Sequence, residues 1–407
     1  MTMVHRVAIT GIGIVSTLGA TRDGVAKALY EGKSGVVVDP ERIELGFISP
    51  LTGRIPEFSP QFPLSRKQKK SMPLFAEWAV EAAMQAIDHS GTDPDDLKNE
   101  RTGLIFGCDS SALAAIEQTR RLLEVKDTAS LGSGLIFQTM TSCVTMNLNT
   151  ILGTKGACWT LSGACASGGH AVGQAADLIR LGRQERMICG GAQEINWQSI
   201  CSFDGLRAFS PRADDPAGAS RPFAAGRDGL VPSGGAAAIM LERRDLAEKR
   251  GAPILGEVRG YGFSSDGENI IVPSRTGLGR AMRMALNESG LTPGDISYVC
   301  AHATSTPVGD AMEAGNILDE LGEKTTPVSS TKSMTGHEFW MSGAAQIVYT
   351  VLMAQNGFLA PNINFDGPDE HSARLDIITQ TRQARITAAL CNSAGFGGTN
   401  SCLALGF

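Results

Sequence analysis

The sequence predicts a mixed α/β protein made of two similar halves. Three observations point there. The apolar runs are short and nearly continuous, as in strands covered on both faces. They alternate with stretches of helical periodicity. The same order of strand, Gly-rich turn and helix then recurs after a polar break at 243–253, "RRDLAEKRGAP". With 407 residues the chain is too long for one small core. It divides at that break into 1–250 and 251–407.

The elements follow in order. "RVAIT" (6–10) reads as a buried strand, "GIGIVS" (11–16) as a tight turn and "DGVAKALYEG" as a helix. "TGLIFG" (102–107) is a second strand. "GACWTLSGACASGGHAVGQAADLIRLG" reads as strand, sharp turn and helix, and "RMICGG" and "AAAIMLE" as further strands. Past the break, "ILGEVRGYG" is a strand and "TGLGRAMRMALNESG" a helix closed by Gly. "ISYVCAHATST" runs from a strand into a polar loop. "TPVSSTKSMTGHEFWMSGAAQIVYTVLMAQNG" reads as strand, loop and helix. "AALCNSAGFGG" and "SCLALGF" close the chain as strands.

Composition narrows the function. Hydrophobic residues make up 42% and charged residues 19%, a globular balance. The net charge of −6 argues against a general nucleic-acid or anionic-membrane surface. No apolar run reaches the roughly 18 residues of a membrane span. The N-terminus lacks a signal-peptide layout. Nine cysteines, an odd number without a CxxC pair, argue against disulfides and structural zinc and for a reducing cytoplasm. "GIGIVS" is not a dinucleotide fingerprint, because Ser16 stands where the third Gly belongs. "EGKS" (31–34) is not a phosphate loop, because Lys27 stands where its first Gly belongs.

One short stretch stands out. In "LSGACASGGH" (161–170), Cys165 is surrounded by the smallest side chains. Either the segment packs so tightly that only small residues fit, or something must reach the sulfur. The residues before Cys165 are strand-like and those after it helix-like. That places the thiol at an elbow, where a helix N-terminus lowers thiol pKa. Taken alone, an inert core cysteine is the commoner outcome. The histidines shift the balance. His5, His89 and His371 read as terminal or surface residues, and His170 as packing within its own helix. His302 and His337 each follow a buried-type strand in a loop rich in small polar residues, where α/β folds build active sites. With Cys165 they form a candidate thiol site. "CNSAGFGGTN" (391–400) adds a Gly-rich loop with free N–H groups, which an oxyanion hole requires.

"GACASG", "HATSTPVGD", "TKSMTGH" and "GFGGTN", in this order, resemble the β-ketoacyl-acyl-carrier-protein synthases of the elongating type I/II group. The resemblance covers essentially the whole chain, including "VAITGIGIVS", "SRPFAAGRDGLV" and "GYGFSSDG". It implies a thiolase-like fold, two duplicated α/β halves in five α-β-α-β-α layers. It implies decarboxylative condensation of an acyl thioester with malonyl-acyl carrier protein in fatty-acid elongation, in a homodimer. Carried over by position, Cys165 becomes the acylated nucleophile. His302 and His337 bind the malonyl thioester carbonyl, and Lys332 supports them with Glu313 and Asp310 in its network. The N–H groups of Cys165 and Phe396 become the oxyanion hole, and Phe396 gates the acyl pocket. Arg66, Lys67, Lys69 and Lys70 in "SRKQKK" align with the docking region for acidic acyl carrier protein. The chemistry asks for no metal or redox cofactor.

Some positions depart from the family pattern. Ala303, Trp340, Ala394 and Ala224 stand where Gly, Gly, Phe and Asp are usual, and "GCDSSA" (107–112) replaces a more Gly-rich stretch. Bulky Trp340 against small Ala394 implies a reshaped malonyl side. The departures also leave room for the same chemistry in a specialised polyketide or polyene pathway. A non-catalytic partner resembling the chain-length factors is the reading from another class, but those factors lack the cysteine.

Overall fold

The computed structural model describes residues 4–407. The first half supplies strands β1 (Val7–Val15), β2 (Thr102–Gly107), β3 (Cys158–Leu161), β4 (Arg186–Gln193) and β5 (Gly235–Arg243). The second half supplies β6 (Gly256–Ser265), β7 (Tyr298–Cys300), β8 (Pro327–Ser329), β9 (Asp376–Ile377), β10 (Ala388–Gly395) and β11 (Thr399–Gly406). Read outward from the middle, the first half runs β1-β5-β4-β2-β3 and the second β6-β11-β10-β7-β8, with β9 added at the edge. The orientations repeat as well. In each half the first three strands of that order are antiparallel and the rest parallel. The two sheets join edge to edge through three residue pairs, Val7↔Val258, Ala8↔Glu257 and Ile9↔Gly256, making one eleven-stranded ladder.

Helices complete five layers. Leu74–Ser90 covers the outer face of β1 and β5, and Gly277–Ser289 the outer face of β6 and β11. Ser167–Arg180 and Ser342–Asn356 lie side by side between the sheets. Each interval has its own core. The central one includes Ile12, Ile14, Val172, Ile347 and Leu403, and the outer ones are centred on Phe75 and Phe106 and on Met282 and Leu390. Burial on this scale, at about 25 cal/mol per Å² of apolar surface, holds the layers together.

"GIGIVS" is not a tight turn. β1 runs through it to Val15, with a bulge between Ile9 and Gly11. Its glycines are there for close approach, because a Cβ at Gly11 or Gly13 would run into the carbonyl oxygens of Ala86 and Ala82 on the outer helix. The second half repeats the device at Gly260 and Gly262 against Ala285 and Ala281. All nine cysteines are free, and only Cys158 and Cys201 are exposed. No helix among the described residues is long and apolar enough to cross a membrane.

Candidate active site

The chain leaves β3, turns sharply at Ala164–Ala166 and enters the helix Ser167–Arg180. Ala164 holds a left-handed φ of 46°, a strained conformation for a residue with a Cβ. Ser167 Oγ secures the turn by accepting from the Gly163 N–H at 2.8 Å and donating to the Ala164 carbonyl at 2.6 Å. The small neighbours of Cys165 serve both purposes weighed from the sequence. Gly168 and Gly169 press against Trp340, Ala344 and Ser401, leaving no room for a side chain. On the other side Cys165, only 2% exposed, forms the floor of a cavity of about 370 Å³.

His302 and His337 reach that cavity from the loops after β7 and β8. His337 Nε2 lies 3.0 Å from Cys165 Sγ, and its Nδ1 lies 3.3 Å from Ser342 Oγ. The two imidazoles stand perpendicular, with centroids 5.3 Å apart. His302 Nδ1 is buried without a partner. Glu313 anchors the His302 loop by accepting from the N–H groups of His302 and Ala303 at 2.9 and 2.6 Å and from Asn392 at 3.0 Å. Asp310 accepts from the N–H groups of Phe223, Thr304 and Thr306 and so shapes the loop; its charge acts on Glu313, which in turn acts on Lys332.

Lys332 is buried behind the histidines, with Nζ 3.4 Å from Gln346 Oε1. Burial lowers its pKa, opposed by Cys300, Glu338, Glu313 and Cys165. Glu338 and Gln346 carry no motif that marks them. Glu338 is fully buried, accepts from Tyr349 Oη at 2.6 Å, and is pushed up to about 7 by burial. A carboxyl directly after a candidate catalytic histidine was the available signal.

The thiol does not behave as its position at a helix N-terminus predicts. Burial pushes Cys165 up to about 12, outweighing Lys332 and the backbone N–H groups of Cys165 and Phe396, which pull it down. The resting group is therefore a thiol, with His337 Nε2 placed to accept its proton. Alkylation of Cys165 by iodoacetamide should keep accelerating with pH beyond about 9. A rate that levels off near neutrality would show a preformed thiolate instead.

The same two N–H groups, Cys165 and Phe396, converge on the sulfur from separate elements, the elbow and the turn Phe396–Gly398. Phe396 stacks on Phe203 with centroids 5.5 Å apart. Ala394 lines the cavity; Trp340 does not. Trp340 belongs to the aromatic cluster beside Cys165 and donates from Nε1 to Ser110 Oγ at 3.2 Å, so the expected opposition of Trp340 and Ala394 across one wall is not what the fold builds. The cavity lip carries exposed Leu206, Ile270, Ile271, Val272 and Val308. Arg66, Lys67 and Lys69 form a short helix capped by Ser65 and Gln68, followed by Lys70; none of the four lines the cavity, and Lys69 is paired to Glu77 at 2.6 Å. His170 does not pack within its own helix. Its ring bonds Tyr261 and Thr399 in the other half.

Two family models match in tandem: "Beta-ketoacyl synthase, N-terminal domain" over residues 4–247 and "Beta-ketoacyl synthase, C-terminal domain" over 255–366. A 3-oxoacyl-acyl-carrier-protein synthase 1 of Haemophilus influenzae is 38% identical over 406 residues, covering 98% of each chain. Among solved structures, a β-ketoacyl synthase from Burkholderia phymatum superposes with a TM-score of 0.94 at 34% identity, covering 99% of each chain. A chain of a solved complex described as a type II polyketide acyl carrier protein with its ketosynthase matches with a TM-score of 0.90 at 28% identity, again covering 99% of each chain. Matched along nearly its whole length in both sequence and fold, the chain belongs to the β-ketoacyl synthase family, with that family's thiolase-like architecture.

Proposed function

We propose that the protein is an acyltransferase that condenses an acyl thioester with malonyl-acyl carrier protein, giving 3-oxoacyl-acyl carrier protein and CO2 in fatty-acid elongation. The observation that carries this is the 3.0 Å approach of His337 Nε2 to Cys165 Sγ at the floor of a cavity shared with His302. Cys165 attacks the acyl thioester carbonyl, its proton passes through His337 to the departing carrier thiolate, and an acyl-cysteine forms. The N–H groups of Cys165 and Phe396 hold the oxyanion. Malonyl-carrier then enters. Its carboxylate leaves as CO2, and the electrons of the broken C–C bond form an enolate whose oxygen the two neutral imidazoles hold, His337 with its single ring proton now on Nε2 and its Nδ1 accepting from Ser342. The enolate carbon attacks the acyl-cysteine, the new C–C bond forms, and Cys165 leaves as a thiolate that regains a proton. Lys332, with Glu313 and Glu338, sets the electrostatics behind the histidines, and Asp310 and Glu313 shape their loop. Phe396, stacked on Phe203 at the cavity, gates entry.

The first half, 1–250, brings the nucleophile and the second, 251–407, the histidines. The partner is acyl carrier protein, drawn to Arg66, Lys67, Lys69 and Lys70; a related ketosynthase is seen with its own carrier. A second copy of the chain covers β3. That strand ends the sheet, unpaired on its outer edge, with Trp159 exposed there and Ile116 and Leu123 exposed on the helix Ala112–Val125. Nine unpaired thiols suit the reducing cytoplasm.

The test is direct. The enzyme is incubated with acyl-carrier, digested, and the labelled peptide located by mass spectrometry; malonyl-carrier is then added. The acyl group is expected on Cys165 and is expected to leave as 3-oxoacyl product. No label on Cys165 with any acyl chain defeats the reading. Reversing Arg66, Lys67 and Lys70 to Glu should raise KM for carrier-bound substrate about tenfold and leave turnover of a small acyl thioester unchanged. Equal loss with both substrates would remove those residues from docking.

A further inference from the structure

His170 takes no part in the steps above, yet it links the two elements that supply the oxyanion N–H groups. It lies in the first turn of the helix that begins just after Cys165. Its ring leaves that helix for the second half of the protein. Nε2 is 2.8 Å from Thr399 Oγ1, and Nδ1 is 2.7 Å from Tyr261 Oη. Thr399 opens β11 and pairs with Gly395 of β10 across the turn Phe396–Gly398. His170 therefore grips the base of the turn that carries the Phe396 N–H.

That turn needs such a grip. Gly397 and Gly398 sit at φ 77° and 74°, a conformation glycine adopts cheaply and leaves as easily. On its outer side the turn is bonded to a loop: the Gly397 N–H donates to the Ile270 carbonyl at 2.8 Å, and the Asp266 N–H to the Gly398 carbonyl at 2.8 Å. That loop forms part of the exposed cavity lip. Toward the elbow, two hydrogen bonds join residues 163–170 to 395–399 among the described residues: the one between His170 and Thr399, and the Phe396 N–H on the Cys165 sulfur, so the His170 bond is the one that does not involve the reacting thiol. The ring is 9% exposed, and burial holds its pKa down to about 4. It is therefore neutral at working pH, with one nitrogen donating and the other accepting.

We propose that His170 is a positioning residue: by holding Thr399 it sets the Phe396 N–H at the spacing from the Cys165 N–H that one oxyanion requires. This rests on the condensing reading above. Oxyanion donors act at about 2.7–3.1 Å, and their contribution falls quickly when one is displaced. Losing the link should slow the steps that build charge on a carbonyl oxygen and spare those that do not.

Thr399→Val and His170→Phe each remove the bond at similar volume, and His170→Gln restores a hydrogen-bonding amide near Nε2, able to donate or accept. Acylation of Cys165 and product formation should drop about 10- to 100-fold in kcat, with KM for malonyl-carrier within about two-fold. Alkylation of Cys165 by iodoacetamide, which forms no oxyanion, should stay within about two-fold of wild type. His170→Gln should recover part of the loss. The double variant His170→Phe/Thr399→Val should be no slower than the worse single one, because both remove one bond. Wild-type kcat in Thr399→Val, alkylation that slows in step with kcat, or losses that multiply would each overturn the proposal. If His170→Phe melts below the assay temperature, Thr399→Val and His170→Gln decide. A wild type that accepts no acyl group overturns the condensing reading itself. An active wild type with an indifferent Thr399→Val overturns only the role of His170.

Discussion

Cys165→Ala should form no condensation product, a loss on the order of 10^4-fold or more, and should still release CO2 from malonyl-carrier. The site divides the two labours. The sulfur holds the acyl group, and His302 and His337 hold the enolate. Alanine deletes only Sγ at the cavity floor. Both imidazoles stay, because neither is positioned by the thiol: His302 hangs on the loop that Glu313 ties down, and the His337 N–H donates to the Val231 carbonyl at 2.7 Å. Lys332 stays buried behind them. The small void costs about 1 kcal/mol, too little to unfold the protein. The measurement follows labelled CO2 and 3-oxoacyl product side by side. Decarboxylation should hold within about ten-fold of wild type. Continued condensation would move the nucleophile elsewhere. Loss of both activities together would mean that the sulfur is also needed to seat the malonyl group.

How much of this was legible in the sequence depends on what each residue does. Cys165, His302 and His337 could be picked out because reactive side chains in loops of small residues follow buried strands, and that pattern survives without coordinates. The strand "TGLIFG" was read to its observed ends because both its faces are buried. "GIGIVS" misled because glycine marks a turn and a close helix contact equally well in one dimension; only the carbonyls of Ala82 and Ala86 decide. The helix Leu74–Ser90 that supplies them bears no chemical motif, although it covers the outer face of β1 and β5. Glu338 and Gln346 matter through Lys332, and that contact is made by folding rather than by spacing. The thiol's pKa went the other way because local helix position was visible and total burial was not. His170 shows the same limit: its partners Tyr261 and Thr399 lie in the other half of the chain.

His302→Ala and His337→Ala should fail differently, and the difference comes from one distance. His337 Nε2 is 3.0 Å from Cys165 Sγ, whereas no hydrogen bond links His302 to the sulfur. Without His302 the enolate loses one of two donors, so decarboxylation and condensation should fall about 10²- to 10³-fold, with acyl transfer to Cys165 intact. Without His337 the thiol also loses its proton acceptor, and acylation should fall as well, by about 10² or more. Single-turnover acylation measured apart from CO2 release separates the two. Equal acylation in both variants would remove His337 from the first half-reaction. The wild-type pH profile carries the same information. Burial first and Lys332 second hold both imidazoles well below their ordinary 6.5, with each other's proximity adding to the effect at His302. A lowered pKa favours the neutral ring, so protonation begins only well under pH 6.5. CO2 release by the wild type should therefore lose nothing to ring protonation from about pH 8 to 6.5, apart from any small change as Glu338 titrates near 7, and should fall steeply only on the acid side of that range. A decline centred near 6.5 would mean that water reaches the rings, and that the buried, neutral pair on which the enolate step depends does not exist in solution.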